Sequence, residues 1–232
     1  MEITGVSCTL SGRRVFTDFS LSLSERRIGI VGRNGSGKST LARLITGLIP
    51  PDRGTVKVNG CDVAHDRQGA LRTVGILFQN PDHQIIFPTV DEELAFGLTQ
   101  LGASRQEARY EAAAMLARFG HADWASRPVA ELSQGHRHLV CLMAVLAMRP
   151  AVLLLDEPFS GLDIPTTRLL RCHLDEAEPA IIQITHDPSA LDHYDRVVWI
   201  DQGLILADGS PDRTLRAYMS AVTGEEARRC SL

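Results

Sequence analysis

The chain has 232 residues, 44% of them hydrophobic and 22% charged, which is the composition of an ordinary globular protein with room for one α/β domain. Its formal net charge of −4 argues against a nucleic-acid-binding protein, because such proteins usually carry a basic excess. The five cysteines form no CxxC pair, so we expect no disulfide framework, and the longest apolar run, residues 139–148, is too short to cross a membrane.

Short apolar runs alternate with helical patterns along the chain, which predicts an α/β fold with a mostly parallel core sheet covered by helices. Alternating apolar and polar residues at 3–9, 19–23 and 55–58 predict an antiparallel β layer near the N-terminus. The runs expected to form the core strands are residues 28–31, 75–78, 152–155, 181–185 and 197–200. Apart from Gln183 and Thr185 these runs are apolar, which suits strands buried on both faces.

The first core strand leads into the pattern G-x-x-x-x-G-K-S, and a helix is predicted directly after it at residues 40–45. Glycines let the backbone wrap around an anion, and the helix dipole favours negative charge at its N-terminus, so the pattern predicts a phosphate-binding loop. We expect Lys38 to reach the β- and γ-phosphates and Ser39 to ligate Mg²⁺. A simple glycine turn is the alternative. The predicted nucleotide-binding residues are Gly32, Arg33, Asn34, Gly35, Ser36, Gly37, Lys38, Ser39 and Thr40.

Residues 85–146 carry almost no strand-like pattern. Ser104 and Glu107 have capping-box spacing before an alanine-rich helix, and a further helix is predicted to begin near Ser133. We predict a single domain at residues 1–220 with a helical subdomain at about 85–146 inserted in it. Residues 221–232 are predicted to be a flexible tail.

Three core strands end in polar residues that suit the chemistry of phosphoryl transfer. Gln79 follows residues 75–78 and can reach a metal ion and an attacking water, although a solvated turn residue is the alternative. Asp156 follows the next core strand and is placed to hold Mg²⁺, while Glu157 is the candidate to polarise the water. His186 ends the strand after that and is a candidate to hydrogen-bond the γ-phosphate. The alternatives are two acids that cap a strand end and a structural histidine.

Six segments, in their order along residues 2–215, resemble the nucleotide-binding subunits of ABC transporters. They are GRNGSGKST at 32–40, Gln79, LSQGH at 132–136, LLLDEP at 153–158, SGLD at 160–163 and ITHD at 184–187. The resemblance implies an ATPase in which two domains face head to tail, with each Mg-ATP held between the phosphate loop of one and the LSQGH segment of the other. It implies γ-phosphate contacts from Ser133 and Gly135, and a dimer-crossing role for Asp163.

The sequence departs from that family at three positions. Gln134 and His136 stand where the family usually has glycine and glutamine, and Leu10 stands where it usually stacks an aromatic residue on adenine. Ser133 and Gly135 are kept, so the phosphate contacts are expected to survive. The aliphatic Leu10 leaves base selectivity open.

Residues 77–97 resemble energy-coupling-factor transporter ATPases, and residues 132–150 are similar to biotin-importer ATPases. This resemblance implies a peripheral protein on the cytoplasmic face of the membrane. Its partners would be a second copy of itself or a paralogous ATPase, a transmembrane coupling protein and, indirectly, a membrane substrate-binding protein. The alternatives are a cobalt, nickel or other vitamin importer, a soluble ABC ATPase acting on nucleic acid or ribosomes, and a P-loop small-molecule kinase.

Overall fold

The computed structural model describes residues 1–229, which form two compact units. The first unit contains residues 1–70, 154–157 and the chain from 180 onward, and the second contains residues 71–153 and 158–179. In the described chain the strands are β1 (Glu2–Leu10), β2 (Arg13–Ser22), β3 (Arg27–Val31), β4 (Arg53–Val58), β5 (Cys61–Asp62), β6 (Val74–Leu77), β7 (Val152–Asp156), β8 (Ala180–Thr185), β9 (Arg196–Asp201) and β10 (Leu204–Gly209). The α-helices are α1 (Lys38–Ile45), α2 (Arg67–Thr73), α3 (Val90–Gln100), α4 (Arg105–Arg118), α5 (Gln134–Ala147), α6 (Ile164–Asp175) and α7 (Pro211–Arg229).

The N-terminal β layer of the first unit is a four-stranded sheet in the order β2-β1-β4-β5. Each pair of neighbouring strands is antiparallel. The side chains of Val6 and Cys8 are buried two residues apart, as the period of two in the sequence predicts, whereas a register shift between Ile3 and Val6 places the buried Ile3 three residues before Val6. The predicted antiparallel layer is therefore confirmed.

The core sheet of the first unit runs in the order β10-β9-β3-β8-β7. Strand β3 is parallel to both β8 and β9, whereas β10 pairs antiparallel with β9. The side chains of Ile30, Ile184 and Val198 are completely buried, in line with the unbroken apolar runs that predicted these strands. Because β3, β8 and β9 run in parallel, their carboxyl ends meet at one edge, where the phosphate loop begins.

The second unit is mainly helical and also contains β6. Helix α3 contacts both α4 and α5. The capping box at the start of α4 is present as predicted, with Ser104 and Glu107 each accepting a hydrogen bond from the other's backbone N–H. Residues 85–146 contain no strand beyond an isolated bridge between Thr89 and Pro128, but the unit extends further than this predicted subdomain and includes α6.

Helix α7 packs against β9 and β10 in the first unit. The flexible tail predicted for residues 221–232 begins inside this helix, and residues 230–232 lie outside the described residues. No helix in residues 1–229 combines the length and the apolar character that a membrane span requires.

Candidate functional site

The phosphate loop, residues 32–37, joins the end of β3 to the start of α1. Gly37 caps the helix with a φ of 110°, a left-handed conformation in which a side chain would be strained. A Cβ atom at this position would also lie 3.0 Å from the Phe16 ring. Asn34, Gly35 and Ser39 are exposed, Arg33 is half-buried, and Ser36 and Thr40 are buried. The first turn of α1 and the exposed part of the loop therefore present backbone and hydroxyl groups on one surface.

Lys38 folds back over the phosphate loop. Its ammonium group donates hydrogen bonds to the carbonyl oxygens of Gly32 at 2.7 Å and Arg33 at 2.9 Å. Burial lowers the Lys38 pKa, and the negative charges of Glu157, Asp156 and Asp201 oppose this shift. These two hydrogen bonds hold the Lys38 ammonium group beside the backbone of the phosphate loop.

Asp156 is the last residue of β7 and Glu157 follows it, and both are half-buried. The pKa of Asp156 is raised by burial and by the charge of Glu157, while Lys38 and Arg43 act to lower it. Two neighbouring carboxylates in a partly buried position raise the free energy of the folded protein when both are ionised and no cation is bound. A bound cation would relieve this cost, so the pair suits a metal ion.

The carboxylate of Glu157 is fixed by the end of β8. Its Oε1 atom lies 2.8 Å from His186 Nδ1, and its Oε2 atom accepts a hydrogen bond of 3.2 Å from the Thr185 hydroxyl. The backbone N–H of Glu157 donates to the Ile184 carbonyl at 2.9 Å, and the residue has a left-handed φ of 51°. Glu157 is therefore held by backbone and side-chain contacts at the same time.

Two residues near this centre were not anticipated from the sequence. Thr185, which the sequence indicates only as the last residue of a strand, is 4% exposed and donates a hydrogen bond to Glu157. Asp201 ends β9, and its charge acts on Lys38. Their common signal is position, since both are polar residues at the carboxyl ends of core strands, where Asp156 and His186 were predicted.

Leu10, the predicted adenine contact, is half-buried at the end of β1, opposite Arg13. The nearby Phe16 is 1% exposed and packs against Phe19 with ring centroids 4.7 Å apart. The Phe16 ring is therefore part of the core and not available to a base. The assignment of Leu10 stays a prediction.

In the second unit, Gln79 lies in an exposed position two residues after β6, and its amide nitrogen donates to the Ser160 hydroxyl at 3.2 Å. Ser160 opens the SGLD segment, so the predicted metal and water ligand is in contact with that segment. Asp163 is the N-cap of α6, and its Oδ1 atom accepts the Thr166 N–H at 2.8 Å. The bond to Thr166 lowers the pKa of Asp163, so this carboxylate is ionised at neutral pH.

Ser133 is the N-cap of α5, and its hydroxyl accepts the backbone N–H of His136 at 3.2 Å. Gly135 lies against α6, where an added Cβ would come within 2.5 Å of the Thr166 methyl group. Gly135 is thus required by helix packing as well as by any ligand. His136 packs on the ring of Trp124 at 4.7 Å, and Trp124 in turn stacks on His121 at 3.8 Å.

The predicted site residues fall into two groups, one in each unit. The phosphate loop, Asp156, Glu157 and His186 lie in the first unit, as does Leu10. Gln79, Ser133, Gly135 and Asp163 lie in the second. Within the first unit the structure brings Lys38 and the two acids close enough for their charges to interact, and it joins Glu157 directly to His186.

Comparison with known proteins agrees with this geometry. The sequence model of the family "ABC transporter" matches residues 16–160, more than half of the chain. The chain is 53% identical over 222 residues to the biotin transport ATP-binding protein BioM of Rhodobacter capsulatus, covering 96% of this chain and 95% of that protein. It is 39% identical over 191 residues to the energy-coupling factor transporter ATP-binding protein EcfA1 of Ligilactobacillus salivarius, covering 80% and 67% of the two chains.

Among solved structures, cbiO1 from Clostridium perfringens, part of the ABC transporter complex cbiONQ, superposes with a TM-score of 0.77 at 25% identity. The superposition covers 100% of this chain and 98% of cbiO1. The family match, the sequence identity and the shared fold therefore point to the same family as the site, in which a phosphate loop is combined with Asp156 and Glu157. This chain belongs to the ABC transporter family and is an ATPase of that family.

Proposed function

We propose that this chain is the ATPase of an energy-coupling-factor importer, with biotin as the favoured cargo. The observation that carries the proposal is the 53% identity to a biotin transport ATP-binding protein, which extends over nearly the whole of both chains. Import of cobalt, nickel or another vitamin is the alternative within the same class. A soluble ATPase acting on nucleic acid or ribosomes is the alternative from another class, and the net charge of −4 disfavours it.

In this proposal the phosphates of ATP lie in the loop of residues 32–37, at the N-terminus of α1. Lys38 exchanges its hydrogen bonds to the loop carbonyls for contacts with the β- and γ-phosphates. This exchange favours ATP binding, because burial disfavours the positive charge of Lys38 and the negative phosphates compensate it. Glu157 polarises the attacking water, and Thr185 and His186 fix the direction of its carboxylate. Hydrolysis is therefore mainly a matter of positioning and charge.

Magnesium fits the oxygen atoms of this site. The Ser39 hydroxyl and the Asp156 carboxylate are ligands of the kind that Mg²⁺ prefers, and Gln79, which lies in the second unit, stays a predicted ligand. The raised pKa of Asp156 supports the assignment, because a carboxylate destabilised by burial gains most from a cation. When bound, the ion would neutralise charge on the β- and γ-phosphates.

Ser133 and Gly135 are proposed to act on the ATP bound by a second copy. A helix N-terminus attracts anions, and α5 is long enough, at 14 residues, to present a full dipole there. Because this chain has both Glu157 and the Ser133–Gly135 segment, two copies can form two competent sites. A paralogous ATPase is the other arrangement, and Asp163 would connect the two sites in either case.

The coupling protein is proposed to dock on the segment of residues 85–87. Ile86 is 68% exposed and so offers an apolar side chain to a partner. The buried Glu93 carboxylate accepts the backbone N–H groups of Ile86 at 2.9 Å and Phe87 at 2.8 Å, so the segment has a fixed shape. A fixed apolar segment binds at a lower entropic cost than a mobile one.

Transport by the importer reconstituted in lipid vesicles tests this proposal. The chain would be expressed with a candidate coupling protein and a candidate biotin-binding membrane protein, and placed in lipid vesicles with ATP inside or outside. We expect ATP-dependent uptake of labelled biotin that stops in Glu157→Gln, while that variant still binds ATP and accumulates as a closed dimer. Uptake of another vitamin or a metal ion instead of biotin would reassign the cargo, and co-purification with RNA or DNA without membrane proteins would support the rival class.

A further inference from the structure

His186 contacts Glu157 with one ring nitrogen, yet most of its side chain is open to solvent. The Nδ1 atom lies 2.8 Å from Glu157 Oε1, while 60% of the His186 side chain is exposed. Exposed side chains change rotamer rapidly unless their surroundings restrict them. The position of the imidazole therefore depends on how firmly the backbone on either side of His186 is held.

Asp187 forms hydrogen bonds in both directions along the chain. Its backbone N–H, which belongs to the peptide unit that follows His186, donates to the Thr185 hydroxyl at 3.0 Å. Its Oδ1 atom accepts the Ser189 backbone N–H at 3.0 Å and the Ser189 hydroxyl at 2.7 Å. Asp187 is thus the N-cap of a short 3-10 helix, Pro188–Leu191. Together these bonds fix the peptide after His186 between the end of β8 and this short helix.

The segment of residues 187–195 is attached to the core sheet at its middle and at its far end. Leu191 is completely buried, and a Cβ atom on Gly29 of β3 would lie 2.6 Å from its side chain. The Tyr194 hydroxyl donates to the Gln183 side chain of β8 at 2.6 Å. These parts of the segment are therefore held by contacts that do not involve its first residue.

The near end of the segment has open space on its outer side. A cavity of about 460 Å³ lies between this end and α7, lined by Asp187, Pro188 and Ser189 on one side and by Leu215 and Met219 on the other. Packing against α7 therefore adds little support at Asp187. The hydrogen bonds of the Asp187 carboxylate carry most of the constraint on the near end.

We propose that Asp187 is a positioning residue for hydrolysis, whose carboxylate holds the backbone of His186 so that the imidazole stays on Glu157. In this position Nδ1 of His186 faces Glu157 and Nε2 is left for the γ-phosphate. The inference rests on the proposed roles of Glu157 and His186. It adds that loss of the cap slows hydrolysis without weakening ATP binding, because the phosphate loop is untouched.

Kinetics of three variants test the proposal. Asp187→Ala removes the cap, Asp187→Asn keeps an oxygen that can accept the Ser189 bonds, and Tyr194→Phe removes the hydrogen bond at the far end of the same segment. We expect Asp187→Ala to lower kcat about fivefold with KM for ATP changed less than about twofold. Asp187→Asn should recover most of kcat, and Tyr194→Phe should lower Tm with kcat unchanged. An alanine variant with wild-type kcat would overturn the proposal, as would an asparagine variant no better than alanine or an equal loss of kcat in Tyr194→Phe.

A double-mutant cycle shows whether Asp187 acts through His186. In a His186→Ala background the residual hydrolysis is measured in single turnovers with enzyme in excess over ATP. If Asp187 acts through the imidazole, Asp187→Ala should change this rate by less than about twofold. A fivefold loss in this background as well would overturn the proposal.

Hydrogen exchange provides a readout that does not need activity. Asp187→Ala should speed exchange in residues 187–190 and leave residues 32–40 unchanged, whereas uniform acceleration would indicate general destabilisation and overturn the proposal.

Two reference variants separate failure of this inference from failure of the proposed function. Normal hydrolysis in Glu157→Gln or His186→Ala would refute the proposed roles of those residues, and the inference with them. Slow hydrolysis in both, together with normal hydrolysis in Asp187→Ala, would refute the inference alone. An enzyme that hydrolyses ATP but drives no import would refute the proposed function and leave all of these tests valid.

Discussion

Replacing Thr185 with valine removes one hydroxyl from the centre of the site and preserves the shape of the side chain. Thr185 is 4% exposed and donates a 3.2 Å hydrogen bond to Glu157 Oε2, while its oxygen accepts the Asp187 N–H at 3.0 Å. A hydrogen bond to a charged group contributes about 1.5–3 kcal/mol, and a distance at the long end of the normal range suggests about 1.5 kcal/mol. If Glu157 needs this bond to point at the water, kcat should fall roughly tenfold.

The same change leaves the Asp187 N–H without its acceptor, which should cost about 1 kcal/mol of folding free energy and lower Tm by about 2–4 °C. Steady-state ATPase assays measure kcat and KM, and calorimetry measures Tm. Thr185→Ser is the matched control, because it keeps the hydroxyl and should retain kcat within about threefold. A valine variant with kcat within twofold of the wild type would show that Thr185 does not orient Glu157, and the pairing would then be purely structural.

Three further substitutions probe the other parts of the site. Asp156→Asn should abolish hydrolysis yet stabilise the nucleotide-free protein by about 1 kcal/mol at neutral pH. Because the pKa of Asp156 is raised in the folded protein, its charged form destabilises the fold above that pKa, and this penalty disappears as the pH falls through it. The Tm values of the variant and the wild type should therefore converge in acid, and a constant difference would contradict this. Ser133→Ala should lower the free energy of unfolding by about 1 kcal/mol, because α5 loses its N-cap, and it should raise KM for ATP. Unchanged KM and unchanged dimerisation would show that Ser133 does not contact the nucleotide. Glu93→Ala should leave the backbone N–H groups of Ile86 and Phe87 without their acceptor and weaken co-purification with the coupling protein at least tenfold. Glu92→Ala is the control and should not weaken it; equal retention of both variants would show that the coupling protein docks elsewhere.

The parts of the fold that short sequence patterns encode were predicted well. The five core strands lie close to the predicted apolar runs: β3, β7 and β8 are one residue longer, β9 is two residues longer, and β6 is shifted by one residue. A strand buried on both faces can be recognised from the composition of its own residues. Helix α1 begins at Lys38, two residues before its predicted start, since the glycine that ends the loop is also its N-cap. The capping box of α4 follows from two residues three positions apart.

Contacts between distant segments could not be predicted in this way. Glu157 and Thr185 are 28 residues apart, and only the placement of β8 beside β7 brings them together. The second unit extends beyond the predicted residues 85–146 because α6 joins it, and nothing in the sequence of α6 says which surface covers its apolar face. The burial of His138, by contrast, could have been predicted, since it lies on one face of α5 with the buried Cys141, Leu142 and Val145.

The backbone of Glu157 has a consequence for laboratory evolution of this enzyme. Its φ of 51° is a conformation in which a residue with a side chain costs about 1 kcal/mol relative to glycine. Libraries of variants selected only for heat resistance should therefore enrich glycine or asparagine at position 157 and yield stable proteins that no longer hydrolyse ATP. Any thermostabilised form intended for crystallography or biosensing should keep this position fixed from the first round.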